Sequence, residues 1–294
     1  MQPTLTPSSK LATGHGVAAI LLWSSFALLA VFTADLPPFQ VLATGFAIGG
    51  ALGVGVLALR GRGALAQMRQ PLPAFALAVV ALFGYHALYF FAFRHAPAVE
   101  VNLINYLWPL LIVVFAAFLP GVRPRVGQFA GTAIALLGVI VMLTRGEGMA
   151  PDPAHRAGHL AALGAALTWA TYSVLNRRFR KVPTAAMAGS CVAVAILAAL
   201  VHFSVEVTRS PSAAQWAALV LMGAGPVGVA FWLWDSGTKH GNLALLGTLS
   251  YAGPLLSTLL LLLGGKLQPH WTQALALALL LAGAWMSVRA SARS

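Results

Sequence analysis

Asn102, Asn105, Tyr106 and Pro109 recur at i, i+3, i+4 and i+7, so one helical face carries all four, with Trp108 beside them. Two amides and a phenol supply donors and acceptors, and the proline removes a backbone N–H and clashes with the carbonyl four residues earlier. That carbonyl, of Asn105, is then expected to be open to a ligand; the competing use of this face is amide bonding between packed helices beside a kink. Tyr85 and Tyr89 stand one turn apart with His86 beside Tyr85. Trp169, Tyr172, Ser173 and Asn176 repeat the i, i+3, i+4, i+7 spacing, and Trp23-Ser24-Ser25 makes a shorter version. Thr248, Ser250 and Tyr251 precede Pro254 as Asn105 and Tyr106 precede Pro109. Trp232 and Trp234 could complete an aromatic wall. None of these groupings pairs a nucleophile with a base. They suit binding of a ligand that is apolar at one end and hydrogen-bonding at the other.

The elements carrying these residues must lie in a bilayer. Of 294 residues 59% are hydrophobic and only 8% charged, against about 25% charged in soluble domains. A soluble globular protein and a disordered chain are both excluded. Ten apolar stretches of roughly 20 residues are expected, at about 15–34, 37–59, 73–94, 98–118, 126–143, 157–177, 184–205, 214–235, 243–263 and 270–289. Little chain is left for anything outside the membrane. Polar side chains within such spans are costly and mark a pathway. Tyr85 falls near mid-span, where an interfacial belt does not explain it, whereas Trp216, Trp271 and Trp285 fall near span ends and read as belt anchors. His86 is either a neutral or proton-carrying group or an interhelical hydrogen-bond partner; His202 reads as the latter.

The net charge of +12 is dispersed in short clusters between spans, without a basic face for nucleic acid. Counted by alternate loops with the N-terminus inside, 13 of the 18 basic residues fall on the inner side, among them Arg60, Arg62, Arg69, Arg123, Arg177, Arg178, Arg180, Lys181 and Arg293. Both termini are therefore expected in the cytoplasm. Cys191 sits in an apolar run and reads as a small buried side chain. Gly45, Gly49 and Gly53 repeat every fourth residue, a pattern for close helix packing within the chain or in a weak dimer.

A shift of 145 residues superposes His95 on His240, Tyr106 on Tyr251, Pro109 on Pro254, Pro124 on Pro269, Gln128 on Gln273 and Gly138 on Gly283. At 146, Trp23 meets Trp169 and Pro37 meets Pro183. The chain thus divides into 1–148 and 149–294, each half with five spans, and an odd number turns the second copy over relative to the first. The expected fold is all-α: ten transmembrane helices as two inverted five-helix repeats around a central cavity.

Two five-span halves, Trp23-Ser-Ser echoed by Trp169-Ala-Thr-Tyr, and a mid-span proline in spans 4 and 9 together resemble the EamA-type ten-helix permeases of the drug/metabolite transporter superfamily. The aromatic-rich spans 3, 4 and 6 look most like those of bacterial aromatic amino acid exporters. The resemblance implies an inner-membrane location, outward transport, and a cavity lined by spans 1, 3, 4, 6, 8 and 9. On that reading the substrate-binding candidates are Ser24, Tyr85, His86, Tyr89, Asn102, Tyr106, Trp108, Trp169, Tyr172, Trp232, Ser250 and Tyr251, with Pro109 and Pro254 as helix breaks that gate. No charged side chain is placed at mid-membrane, since Glu100 and Asp235 fall near span ends. A bare dianion would lack a partner; a zwitterionic amino acid would not need one. The same absence favours facilitative transport over proton coupling. A broad-specificity drug or metabolite exporter is the alternative cargo. No intramembrane protease pattern, zinc motif or phosphate loop is recognised, so no catalytic residue, metal or cofactor is expected.

Overall fold

In the computed structural model of the protein, residues 7–120, 125–147 and 152–292 are described, and they contain helices and no strands. The expected boundary at 148/149 lies outside them, as do Arg123, Pro124 and Arg293. In hydrocarbon each backbone N–H must bond within its own segment, so the apolar stretches fold as helices. Nine described segments are long and apolar enough to span: α1 (Ser9–Phe32), α2 (Pro38–Leu59), α3 (Leu72–His95), α4 (Ala98–Ala116), α5 (Val126–Thr144), α7 (Thr184–Val205), α8 (Ala213–His240), α9 (Leu243–Leu263) and α10 (Trp271–Ala290). The expected sixth span is a helix of 20 residues, α6 (Arg156–Leu175), which is too polar to join the nine by composition. Arg156 and His159 at its start and Thr168, Trp169, Thr171, Tyr172 and Ser173 farther on carry the polarity, and half of the helix is buried against protein. A helix that faces its neighbours need not be as apolar as one that faces lipid.

The span limits agree with expectation to a few residues, except that α8 runs to His240 rather than to about 235. Asp235 and Lys239 are thereby inside the helix and buried, not at a span end and in a loop. They neutralise one another as an i, i+4 pair at 2.8 Å, which is why the helix can continue through them.

The helices pair in a pattern that survives exchange of the two halves. The most extensively packed partners are α5 with α10, α2 with α7, α3 with α6 and α1 with α8, and α4 lies against α9. Replacing every helix by its mate five positions on returns the first, second and last pairs to themselves and swaps α3–α6 with α1–α8. The close glycine contacts give the direction. A Cβ built on Gly131 would meet the Ser287 nitrogen at 3.1 Å, and one on Gly138 would meet the Ala276 carbonyl at 3.1 Å. Along the α2–α7 contact, Gly50 faces Val192 and Gly53 faces Ala188. Position numbers rise in one helix as they fall in the other, so repeat mates run antiparallel. The α2–α7 and α5–α10 mates are thus inverted relative to one another, the relation expected of inverted-topology repeats.

Gly45, Gly49 and Gly53 are covered within the chain by Val227, Gly228 and Trp232 of α8, so the stripe is used for close packing inside one molecule. Trp216, Trp271 and Trp285 remain 48%, 62% and 55% exposed. Cys191 is fully buried.

Candidate functional site

Four helices are interrupted at mid-length. In α4 the turn at Tyr106–Leu107 separates Ala98–Asn105 from Trp108–Ala116, and in α9 the turn at Ser250–Tyr251 separates Leu243–Leu249 from Ala252–Leu263. Pro109 and Pro254 stand just beyond these turns, where each withholds a backbone donor from the preceding turn. The breaks face each other: Tyr251 donates its hydroxyl to the Tyr106 carbonyl at 3.0 Å. In α1 a turn falls at Ser25, and in α8 a π-helical turn spans Gly225–Val229 around Pro226. Such π turns concentrate where a helix is shaped for function.

Between these breaks lies a cluster of rings drawn from both halves. Trp169 is its hub, with centroids 5.6 Å from Trp23, 5.6 Å from Tyr85, 5.2 Å from Tyr172, 5.8 Å from Phe231 and 6.3 Å from Trp234. Trp108 meets Trp234 edge-on at 5.9 Å, and Phe46 stacks on Phe231 at 5.5 Å. Two indoles are locked by hydrogen bonds: Trp23 donates to the Pro226 carbonyl at 2.9 Å, and Trp234 to Ser173 Oγ at 3.0 Å. The π turn therefore supplies the acceptor that fixes Trp23. The rings expected to wall a cavity here pack on one another, and Trp169, Tyr172 and Trp234 are 4%, 1% and 0% exposed.

A polar row adjoins the rings. Asn105 donates from Nδ2 to the Tyr85 hydroxyl at 3.1 Å, and Tyr89 donates to Asn102 Oδ1. Asn105 Oδ1 is buried without a partner, a strong acceptor in a residue bonded to Tyr85 at the edge of the rings. His86 lies among Phe46, Tyr85, Phe90 and Phe231, and its Nδ1 is 2.6 Å from the Leu82 carbonyl of its own helix. The interhelical bond considered for His86 is thus not formed. His202 likewise bonds near its own helix end, to Glu206 and Thr208, and Glu206 accepts from the first amides of α2 at Phe39 and Gln40.

Both repeats match the model of the EamA-like transporter family, over residues 15–144 and 156–289. The chain belongs to the EamA-like transporter family. Along 94% of its length it is 47% identical to a protein of Ancylobacter novellus called aromatic amino acid exporter YddG, of which it covers 96%. It is 27% identical to the protein of that name from Salmonella typhimurium, over 86% of this chain and 88% of that one. A solved crystal structure 46% identical in sequence superposes with a TM-score of 0.90, covering 95% of this chain and 97% of that one.

Within this EamA-like protein the candidate residues separate into groups. Tyr85, Trp108, Trp169 and Tyr172 enter the ring cluster or its edge, while Tyr89, Asn102, Tyr106 and Tyr251 form the polar row and the crossing of the breaks. Ser24 and Ser250 spend their hydroxyls on carbonyls of their own helices, those of Ile20 and Leu246, although the Ser24 carbonyl accepts from Ser257 of α9. Trp232 lies against Gly53 and makes no ring contact with the cluster among the described residues, with its indole nitrogen buried and unpartnered. Thr248 faces the other way, joining Thr132 of α5 and Ser287 of α10.

Phe231 and Phe46 are central and carried no polar signal in the sequence, though Phe231 precedes Trp234 by one helical turn. Asn176 sits away from the rings and joins a buried network: it donates to Asp235 and Thr238, and Thr184 and Lys239 donate to the other Asp235 oxygen. This knot ties the α6–α7 connection to the end of α8. A cavity of about 200 Å³ lies between α4 and α6, lined by Phe115, Phe118, Leu119, Thr171, Val174, Leu175 and Arg178.

Proposed function

We propose that this protein exports aromatic and other neutral amino acids, namely Phe, Trp, Tyr and Thr, across a bacterial inner membrane by alternating access. The observation that carries the reading is the hub of Trp169 among five rings beside the unpartnered Asn105 Oδ1. The rings would take an aromatic side chain by edge and face contacts, and the free amide oxygen would accept from its ammonium group. Its relatives named aromatic amino acid exporter YddG support the same cargo.

Both termini face the cytoplasm in this reading, because the basic loops do. The site is formed by Tyr85, His86, Tyr89, Asn102, Tyr106, Trp108, Trp169, Tyr172 and Tyr251, with Trp23, Asn105, Phe231 and Trp234 added. Opening toward one side would separate the halves at the ring cluster, with the breaks before Pro109 and Pro254 as hinges. Transport is facilitative. Among the described residues Asp235 is paired with Lys239 and no carboxylate stands unpaired beside the rings, and His86 Nδ1 is engaged with the Leu82 carbonyl of its own helix.

The test is counterflow into proteoliposomes preloaded with unlabelled Phe, Trp, Thr or buffer, following labelled Phe. Accumulation that depends on internal Phe and is competed by Trp is the expected result. No counterflow with any amino acid, from folded protein, would leave the broad drug or metabolite exporter as the better reading. An imposed pH gradient should change the rate little; strong acceleration would overturn the facilitative mechanism.

A further inference from the structure

Glu100, His155 and His159 gather at the end of the bundle opposite the Asp235 knot. Glu100 lies in the first turn of α4, His155 ends the short 3₁₀ turn Pro153–His155, and His159 stands in the first turn of α6. Glu100 Oε2 is 2.6 Å from His159 Nε2 and 3.4 Å from His155 Nδ1, and the three ligand atoms all lie within 4.8 Å of one another. His155 Nδ1 is buried and makes no hydrogen bond, so a ring nitrogen points at the carboxylate with nothing bonded to it. Gly158, between the two histidines, packs against the end of α3, where a Cβ would stand 2.8 Å from the His95 carbonyl carbon.

We propose that these three side chains bind a divalent transition-metal ion, with Zn²⁺ as the best fit. Two imidazoles four residues apart at a helix start, plus one carboxylate, form a two-nitrogen, one-oxygen set that leaves one position open in tetrahedral zinc. With zinc–ligand bonds of 2.0–2.1 Å, ligand atoms sit about 3.3 Å apart. The His155–Glu100 separation is already at that value. The shorter Glu100–His159 hydrogen bond would open as the ion takes the place of the proton between them. Water or a substrate carboxylate could take the fourth position.

Glu100 belongs to the first repeat and both histidines to the second. An ion held by all three therefore clamps the ends of α4 and α6 and resists their separation. That consequence rests on the alternating-access reading above; the site itself does not.

The first experiment titrates Zn²⁺ into the full chain in detergent against a chromogenic chelator. One ion per chain is expected, weakened at least tenfold in E100Q, H155A and H159A and unchanged in H95A, whose imidazole lies outside the cluster. Absence of binding by the native chain, or unchanged affinity in H155A and H159A, would overturn the site. E100Q retains an acceptor for His159 and His155 is one-third exposed, so both variants should fold, as metal-free melting curves would verify. Co²⁺ interrogates the native chain alone: intense visible bands of a four-coordinate ion support the site, and the pale spectrum of aqueous Co²⁺ overturns it. In counterflow, Zn²⁺ should slow the native protein and spare H155A. A bound ion with unchanged counterflow would overturn the clamp, whereas the binding measurements need no transport at all.

Discussion

Tyr251 donates its hydroxyl to the backbone carbonyl of Tyr106 at 3.0 Å, and these two residues hold the same position in the two repeats, 145 residues apart. The bond therefore crosses the axis that relates the halves. It is one-sided: the side chain of the second copy meets the main chain of the first, so the inverted repeats are not equal at their meeting point. It also satisfies a carbonyl exposed by the turn in α4.

Tyr251→Phe should leave that carbonyl buried and unpaired, at a cost of about 1–3 kcal/mol. Tyr106→Phe keeps its carbonyl and should melt as the native protein does. Thermal unfolding in detergent compares them, and equal melting temperatures would remove the bond from any structural role.

Trp169→Ala would create a large void, and losses of about 3–5 kcal/mol are usual for such truncations. Trp169→Phe retains a ring and separates binding from stability. Labelled Trp counterflow should fall about tenfold, a change of roughly 1.4 kcal/mol, with little change in melting. Native rates in Trp169→Phe would place the site elsewhere.

Asp235 and Lys239 are 2% and 4% exposed, so each depends on its partner. Asp235→Asn or Lys239→Met alone should destabilise by about 3–5 kcal/mol by leaving one charge buried. The double variant should recover much of this. A double-mutant cycle from unfolding midpoints reads the coupling, and additive losses would contradict it.

Gly49→Ala should destabilise, because the added Cβ would lie 2.8 Å from the Gly228 Cα, backbone against backbone. Gly55→Ala, in the same helix with nothing within 4 Å, should be neutral or stabilising by up to about 1 kcal/mol, since alanine is the better helix former. Melting temperatures of the two variants check the contrast.

The spans were legible because lipid leaves the backbone one economical solution, and apolar length announces it. The repeat was legible as well: Pro109 and Pro254, or Tyr106 and Tyr251, are rare enough in an apolar chain to reveal the shift, and the two matches to one family model agree with it. The turns beside those prolines followed from proline's missing donor. The sixth span shows the limit of composition, since α6 is polar for a spanning helix until its neighbours are known.

Facing was decided by tertiary structure. Trp232 and Trp234 are two residues apart, about 200° around a helix, and hydrophobicity cannot choose between them when every face of the helix is apolar. Gly53 receives one indole and Ser173 the other, and neither partner is near in sequence. The π turn at Gly225–Val229, which positions Pro226 to hold Trp23, likewise exists only in the packed bundle. Glu100 meets His159 across 59 residues, and Asn176 meets Asp235 across the same number. Sequence alone determined what could cross the membrane and how often the unit repeats, because those depend on local composition. Which side chains meet in the centre depended on α3–α6 and α1–α8 pairing, a choice made by close packing among helices that look alike to lipid.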